Sequence, residues 1–301
     1  MNPPSPIRFA YFGSSRLSVI ILDELEKAGF LPALAITTPD KPKGRHLTLT
    51  QNPVKEWALT RNIPVHDPAK LDSAPGSAFA EMLRAAKCDV FIVASYSKII
   101  PASIIEIPAR KTLNVHPSLL PLYRGPAPLQ AVMLDDAKNT GVTIMRIDEK
   151  VDHGPIVAQK EVAVEEWPAY EEFEELMARE GAHLLAEILP GWVAGSIQEK
   201  EQDHSRATFT KKIAKEDGLM DIADASPASQ RKNFLKIQAY RQWPVAYFMF
   251  EHSGKKIKVK VTRALFLDDK LVIERVIPEG KKEMSYADFQ NGFIGSGQSP
   301  E

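Results

Sequence analysis

The sequence predicts an α/β protein built from a doubly wound, mostly parallel sheet and a following small, β-rich, barrel-like domain. Three observations predict it. Short apolar runs alternate with stretches of helical spacing through the first half, the pattern of a sheet covered by helices. Past residue 206 the pattern changes to longer strands joined by tight turns. The charge changes at the same place: residues 206–301 carry 17 basic and 12 acidic side chains, net +5, while residues 1–205 carry a net −6. At 301 residues the chain also exceeds the roughly 100–200 residues of an ordinary single core.

The elements follow in order. Residues 7–12 form an apolar run ending at Gly13, and residues 17–28 have helical spacing that stops at Gly29. Residues 31–36 read as the next strand, and residues 37–53 as a Pro-, Lys- and Gly-bearing loop without a period. Residues 54–61 are helical again, and residues 89–94 are continuously apolar, as a parallel strand buried on both faces should be. Residues 112–116 and 141–147 are two further strands. Residues 168–193 predict a long acidic helix, with Phe173, Leu176, Leu184, Leu185 and Ile188 toward the core and Glu171, Glu172, Glu174 and Glu175 on a solvated face. Residues 195–206 are polar and aperiodic, as a linker is. Residues 226–239 are helical; residues 245–251, 255–264 and 271–276 are strands, with turns at Ser253-Gly254 and Asp268-Asp269. A Gly/Ser-rich tail from Asn291 is expected to fray. The expected limits are 1–195, a linker at 196–207, and 208–301.

Composition removes several function classes. Hydrophobic residues make up 44% and charged residues 26%, ordinary for a globular chain. A single cysteine, Cys88, excludes an internal disulfide framework and a cysteine-only zinc site. No apolar run approaches the ~20 residues of a bilayer span, and the first residues lack the pattern of a signal peptide. A soluble, cytoplasmic protein is expected. The seven histidines lack metal-ligand spacing. Neither HExxH nor GxSxG occurs, and the dinucleotide and P-loop glycine patterns are absent too. Metal-free acid–base chemistry is the expectation.

The residues best placed for such chemistry are Asn114 and His116. In a strand, positions i and i+2 share a face, and Pro117 ends the strand just beyond them. Both then sit at the carboxyl end, where α/β sheets keep their ligands. An amide donor beside an imidazole can polarise a carbonyl and move a proton. A polar turn, Asp148-Glu149-Lys150-Val151-Asp152-His153-Gly154, follows the next strand. One of its carboxylates can orient His116; spacing does not choose among Asp148, Glu149 and Asp152. Gly154 gives that turn the freedom to leave in an unusual direction.

Three blocks together carry a resemblance: Asn114-Val115-His116-Pro117-Ser118-Leu119-Leu120-Pro121-Leu122-Tyr123-Arg124-Gly125, Thr140-Gly141-Val142-Thr143-Ile144, and Val151-Asp152-His153-Gly154. In order and distance they resemble the 10-formyltetrahydrofolate-dependent formyltransferases. Thr38-Pro39-Asp40-Lys41-Pro42-Lys43-Gly44-Arg45 and Asn52-Pro53-Val54-Lys55 look like the branch that acts on methionyl-tRNA. So do Phe209-Thr210-Lys211-Lys212-Ile213, Trp243-Pro244 and residues 278–284 of the second module. The chain departs from the pattern at Ser97, where Gly is usual, at His46, and at Gln51-Asn52.

The resemblance implies a Rossmann-like catalytic domain with an OB-like second domain. It places the catalytic roles on Asn114, His116 and Asp152, with Thr143 helping to hold a water. It implies folate contacts at Tyr96, Ser97, Lys98, Ile99, Ile100, Ser118, Leu119, Leu120, Pro121, Ile147 and Val151. Contacts to tRNA fall on Lys41, Lys43, Arg45, Arg124 and Lys211, and on Lys256, Lys258 and Lys260, whose alternate positions line one strand face. The implied co-substrate is 10-formyltetrahydrofolate without a metal, the implied partner is initiator Met-tRNA, and the implied state is a monomer. The rival readings are a sugar-nucleotide N-formyltransferase and a catalytically idle folate- or RNA-binding protein.

Overall fold

The computed structural model describes residues 7–43, 48–74, 76–252 and 254–294. Its contacts divide the chain into two compact units. One comprises Met1–Gly125, Asn139–Ala163 and Glu174–Phe209; the other comprises Pro126–Lys138, Val164–Phe173 and Thr210–Glu301. The sequence-based limits cut the chain once near residue 200. The contacts keep residues 196–207 in the first unit and place two earlier segments with the second.

The elements in chain order begin β1 (Phe9–Gly13), α1 (Arg16–Lys27), β2 (Leu34–Ile36), β3 (Lys41–Lys43), β4 (Thr48–Thr50), α2 (Pro53–Leu59), β5 (Val65–His66) and α3 (Ala78–Ala85). They continue with β6 (Val90–Ala94), α4 (Ala102–Ile105), β7 (Thr112–His116), α5 (Pro128–Leu134), β8 (Asn139–Arg146), β9 (Ile156–Ala163) and α6 (Tyr170–Ala194). The last are α7 (Pro227–Ala239), β10 (Tyr247–His252), β11 (Lys255–Leu267), β12 (Lys270–Pro278), β13 (Met284–Ser285) and α8 (Tyr286–Phe289).

The first unit is built on a seven-stranded sheet in the order β5-β2-β1-β6-β7-β8-β9. Strands β5 through β7 pair in parallel, while β7–β8 and β8–β9 are antiparallel. Chain order runs outward one way from β1 and the other way from β6, so a switch point lies between them. Ligands of such sheets bind beyond the strand ends at that point. All five residues of β1 and of β6 are buried, which is why both read as unbroken apolar runs. Helix α1 starts at a capping box, with Ser15 accepting from the Ser18 amide and Ser18 reaching back. The unusual Gln51-Asn52 has a local reason: Asn52 caps α2 through Val54 N at 3.0 Å and also donates to Thr38 Oγ1.

Two expectations for α6 change. Leu176 is 37% exposed, and the buried stripe runs through Phe173, Met177, Leu185 and Leu189. From Phe173 the buried stripe therefore steps by four, to Met177 and not to Leu176. Glu174 is not solvated; it is 6% exposed and pairs with Arg16 at 2.8 Å.

In the second unit, β10-β11-β12-β13 form an antiparallel sheet. Phe248, Phe250, Val259, Val261 and Val276 pack with Ile237 of α7 and Phe289 of α8. Strand β11 shifts register around Arg263, the kind of bulge that curves a small barrel-like sheet. The turn at Asp268 and Asp269 has φ of 47° and 59°, the signature of a type I′ hairpin. Gly254 has φ of 73°, as expected of a turn; Ser253 lies outside the described residues. The tail expected to fray begins with a π-helical turn over Gln290–Ile294, and the rest lies outside the described residues.

Candidate active site

The site is assembled at the carboxyl end of β7. There β7 pairs with β8, and His116 lies opposite Thr143 while Asn114 lies opposite Met145. His116 is 4% exposed. Its Nε2 stands 3.1 Å from the Tyr123 carbonyl, which can only accept, so Nε2 carries a hydrogen. Nδ1 faces Asp152 Oδ1 at 3.7 Å. Nδ1 is then the ring nitrogen left for exchange with a ligand, on the side of the carboxylate. Asn114 is half-buried, and no side-chain hydrogen bond to it occurs among the described residues. Its amide stays available for an oxygen brought by a ligand.

The geometry also chooses among the three acids of the turn. Asp152 reaches His116, and its Oδ2 accepts from Gly125 N at 2.7 Å. Asp148 turns instead to His153 Nδ1 at 2.7 Å and to Lys150 N. Glu149 is exposed. Asp152 holds a left-handed φ of 48°, which costs a non-glycine residue roughly 1–2 kcal/mol. Gly154 is required by close approach, not by an unusual φ. A Cβ there would lie 2.0 Å from the Arg146 carbonyl oxygen.

Thr143 is fully buried and its hydroxyl is saturated. It donates to Ser118 O at 2.7 Å and accepts from Leu120 N and Gln159 Nε2 at 3.1 and 2.9 Å. It pins residues 118–120 and has no valence left to hold a water, contrary to expectation. Ser118 is buried and donates to Leu122 O. Leu120 is buried, Leu119 and Pro121 are half-buried, and the Leu120-Pro121 peptide is cis.

The loop after β6 presents a mixed surface. Tyr96 packs edge-on against Phe12 with centroids 5.7 Å apart. Its hydroxyl is buried without a partner among the described residues, and burial pushes the phenol up to about 12. A neutral, orphaned hydroxyl of this kind suits a polar group of a bound ligand. Ser97 is exposed, Lys98 donates to the Ala69 and Pro68 carbonyls, and Ile100 packs on the core. Ile99 is 87% exposed and Val151, in the acidic turn, is 59% exposed, while Ile147 packs inward. Apolar side chains held open beside polar groups fit a flat heterocycle, so the residues present suit a folate.

Arg124 departs most from its expected role. It is 3% exposed, with Nε and Nη2 donating to Gln202 Oε1 at 3.2 and 2.7 Å. Burial lowers its proton affinity from the ordinary guanidinium value. A side chain so enclosed does not face a tRNA. Sequence reasoning missed Gln202, which is a glutamine in an aperiodic polar run with no periodic signal to mark it. It missed Gln159 for the same reason. Among the other expected tRNA contacts, Lys41 and Lys43 lie in β3 and Arg45 falls outside the described residues. In the second unit, Lys211 is exposed and pairs with Asp217 at 3.2 Å. Lys256 and Lys260 are exposed there, and the half-buried Lys258 lies 3.7 Å over the Tyr247 ring.

Residues 7–189 match the formyl transferase family model. Methionyl-tRNA formyltransferase from Chloroflexus aggregans is 41% identical over 241 residues, covering 80% of this chain and 76% of that protein. The enzyme of the same name from Dictyoglomus turgidum is 33% identical over 312 residues, covering 95% and 96%. The solved methionyl-tRNA formyltransferase from Clostridium thermocellum superposes with a TM-score of 0.61 at 14% identity, covering 90% of this chain and 98% of that one. With a strand-end Asn and His, a carboxylate brought to that His, and this likeness along almost the whole chain, the protein belongs to the formyl transferase family, in its methionyl-tRNA formyltransferase branch.

Proposed function

We propose that this chain transfers the formyl group of 10-formyltetrahydrofolate to the α-amine of methionyl initiator tRNA. The observation that carries the reading is the placement of the Asn114 amide, without a side-chain hydrogen bond among the described residues, beside His116, with Asp152 across from Nδ1. Bound folate supplies an activated formyl carbon on N10 and accepts a proton there as it leaves. The Asn114 amide donates to the formyl oxygen, where negative charge develops. His116 Nδ1, on the side facing Asp152, takes a proton from the attacking amine and passes it to the departing N10 as the N10–formyl bond breaks. Asp152 holds the imidazole in place. The exposed Ile99 and Val151 and the Tyr96 hydroxyl supply the folate surface. The first unit, residues 196–207 included, acts as the catalytic domain. Residues 208–301, with Lys211 and the Lys256, Lys258 and Lys260 stripe, bind tRNA together with Lys41, Lys43 and Arg45. The protein works as a cytoplasmic monomer.

The test offers 10-formyltetrahydrofolate with methionyl initiator tRNA, methionyl elongator tRNA and an amino-sugar nucleotide in parallel. Formylmethionyl-tRNA from the initiator species alone is the expected product. Formylation of the amino sugar with no reaction on tRNA overturns the reading in favour of a sugar N-formyltransferase. Folate binding without turnover of any acceptor marks an idle binding protein.

A further inference from the structure

Three consecutive residues, Tyr123, Arg124 and Gly125, touch every part of the acid–base pair. The Tyr123 carbonyl takes the His116 Nε2 hydrogen, and the Gly125 amide holds Asp152 Oδ2. Between them, the Arg124 side chain turns inward to Gln202. Gln202 is 5% exposed, and its amide uses its full hydrogen-bonding capacity. Oε1 accepts twice from Arg124, while Nε2 donates to Asp152 O at 3.0 Å and to Gly154 O at 2.6 Å. The contacts close a ring: Asp152 carboxylate to Gly125, through Arg124 to Gln202, and back to the Asp152 carbonyl. Asp152 occupies a left-handed conformation, which persists only where its surroundings over-determine it.

We infer that Gln202 is a positioning residue for the reaction: its amide, anchored by Arg124, holds Asp152 in the backbone conformation that aims the carboxylate at His116. The inference rests on the proposed acid–base roles of His116 and Asp152. Residues 196–207 are then part of the active-site framework. Nearby bonds reinforce the segment: Lys200 pairs with Ile156 through both backbone directions at 2.8 Å, and the Thr208 carbonyl and hydroxyl accept from Arg124 N and Tyr123 N.

The informative substitution is Gln202→Glu. A carboxylate still accepts from Arg124, but it faces the Asp152 and Gly154 carbonyls with oxygens only. The donor half of the amide is lost and the acceptor half is kept. The expected result is a folded protein whose kcat falls by about 10- to 100-fold, with KM for both substrates within about twofold. In an Asp152→Asn background the same change should cost less than about threefold, because the group through which Gln202 acts is already disabled. Gln202→Met, similar in length and without either bonding half, provides the same comparison if the glutamate variant does not fold. A folded variant that keeps kcat within about twofold overturns the inference, as does an equal fold-loss in both backgrounds, which marks a general structural effect. Failure of the underlying reading looks different: Asp152→Asn alone then turns over at the wild-type rate.

Discussion

At the carboxyl end of β7, Asn114 and His116 share a strand face and the turn after β8 brings Asp152 across from His116 Nδ1; in the proposed reaction each supplies a different piece of chemistry. Removing the amide donor in Asn114→Ala, or the proton carrier in His116→Ala, should lower turnover by about 100-fold or more while the protein stays folded. Asp152→Asn should do the same. Pairwise combinations should lose less than the product of the single losses, since the groups act as one unit. Initial-rate measurements with circular dichroism on each variant check this. A folded His116→Ala protein near the wild-type rate would remove His116 from the mechanism. Gly154 is a second residue-scale case with another outcome. A Cβ at 2.0 Å from the Arg146 carbonyl must displace backbone, so Gly154→Ala should lose about 1–3 kcal/mol of stability. It should lose activity as well, because the turn that moves carries Asp152. Denaturant unfolding beside an activity assay separates the two losses.

Between single residues and the whole chain, segments distant in sequence are tied by small polar hubs. Asp136, just after α5, accepts from Arg231 of α7 at 2.8 and 3.0 Å and from Trp167 Nε1 at 2.5 Å. The Arg231 hydrogen bonds hold its carboxyl below the ordinary value, and the Trp167 bond adds to this against the opposing effect of burial. A depressed carboxyl contributes stability above its unfolded pKa of about 3.9, and that contribution is lost as pH falls through the folded value. Asp136→Asn should therefore melt below wild type at neutral pH, by an amount on the order of 1 kcal/mol for a partly exposed network. The gap should close on acidification past the carboxyl range; a pH-independent gap in thermal melts would deny the linkage. The same hub shows where the sequence was and was not readable. Strands β1, β6 and β7 and helices α1, α6 and α7 were legible because burial on one or both faces imposes a period. The strand β9, IVAQKEVA, has mostly exposed or half-buried positions and carries little periodic signal. Asn114 and His116 were legible as i and i+2 at a strand end. The choice of Asp152 over Asp148 depends on a backbone conformation, and the role of Gln202 depends on contacts from residues 124 and 152; neither leaves a trace in local spacing. Which segments pack with α7 was hidden for the same reason.

For the molecule as a whole, charge separates the functions that side-chain geometry alone does not. The net +5 of residues 206–301 stands against the net −6 of the rest, and part of it is laid out on one face of β11. Along that strand Val259 and Val261 are buried while Lys256 and Lys260 are exposed, as a two-residue period requires. Lys258 belongs to the same face, with its ammonium over the Tyr247 ring, so part of its charge is already engaged by the aromatic quadrupole. A polyanion bound on this face releases condensed counterions, and its affinity falls linearly with salt on a log–log plot. A small folate carries few charges and depends far less on that release. Initiator tRNA affinity should therefore weaken steeply as salt rises while folate affinity holds nearly steady. Lys256→Ala and Lys260→Ala should each flatten the tRNA slope by about one unit, and leave formyl transfer on bound substrate unchanged. Lys258→Ala should flatten it less. Filter binding over a salt series measures all three slopes. If the Lys256/Lys258/Lys260 triple alanine protein binds tRNA with unaltered affinity and slope, the stripe serves solubility alone and the tRNA platform lies elsewhere in the chain.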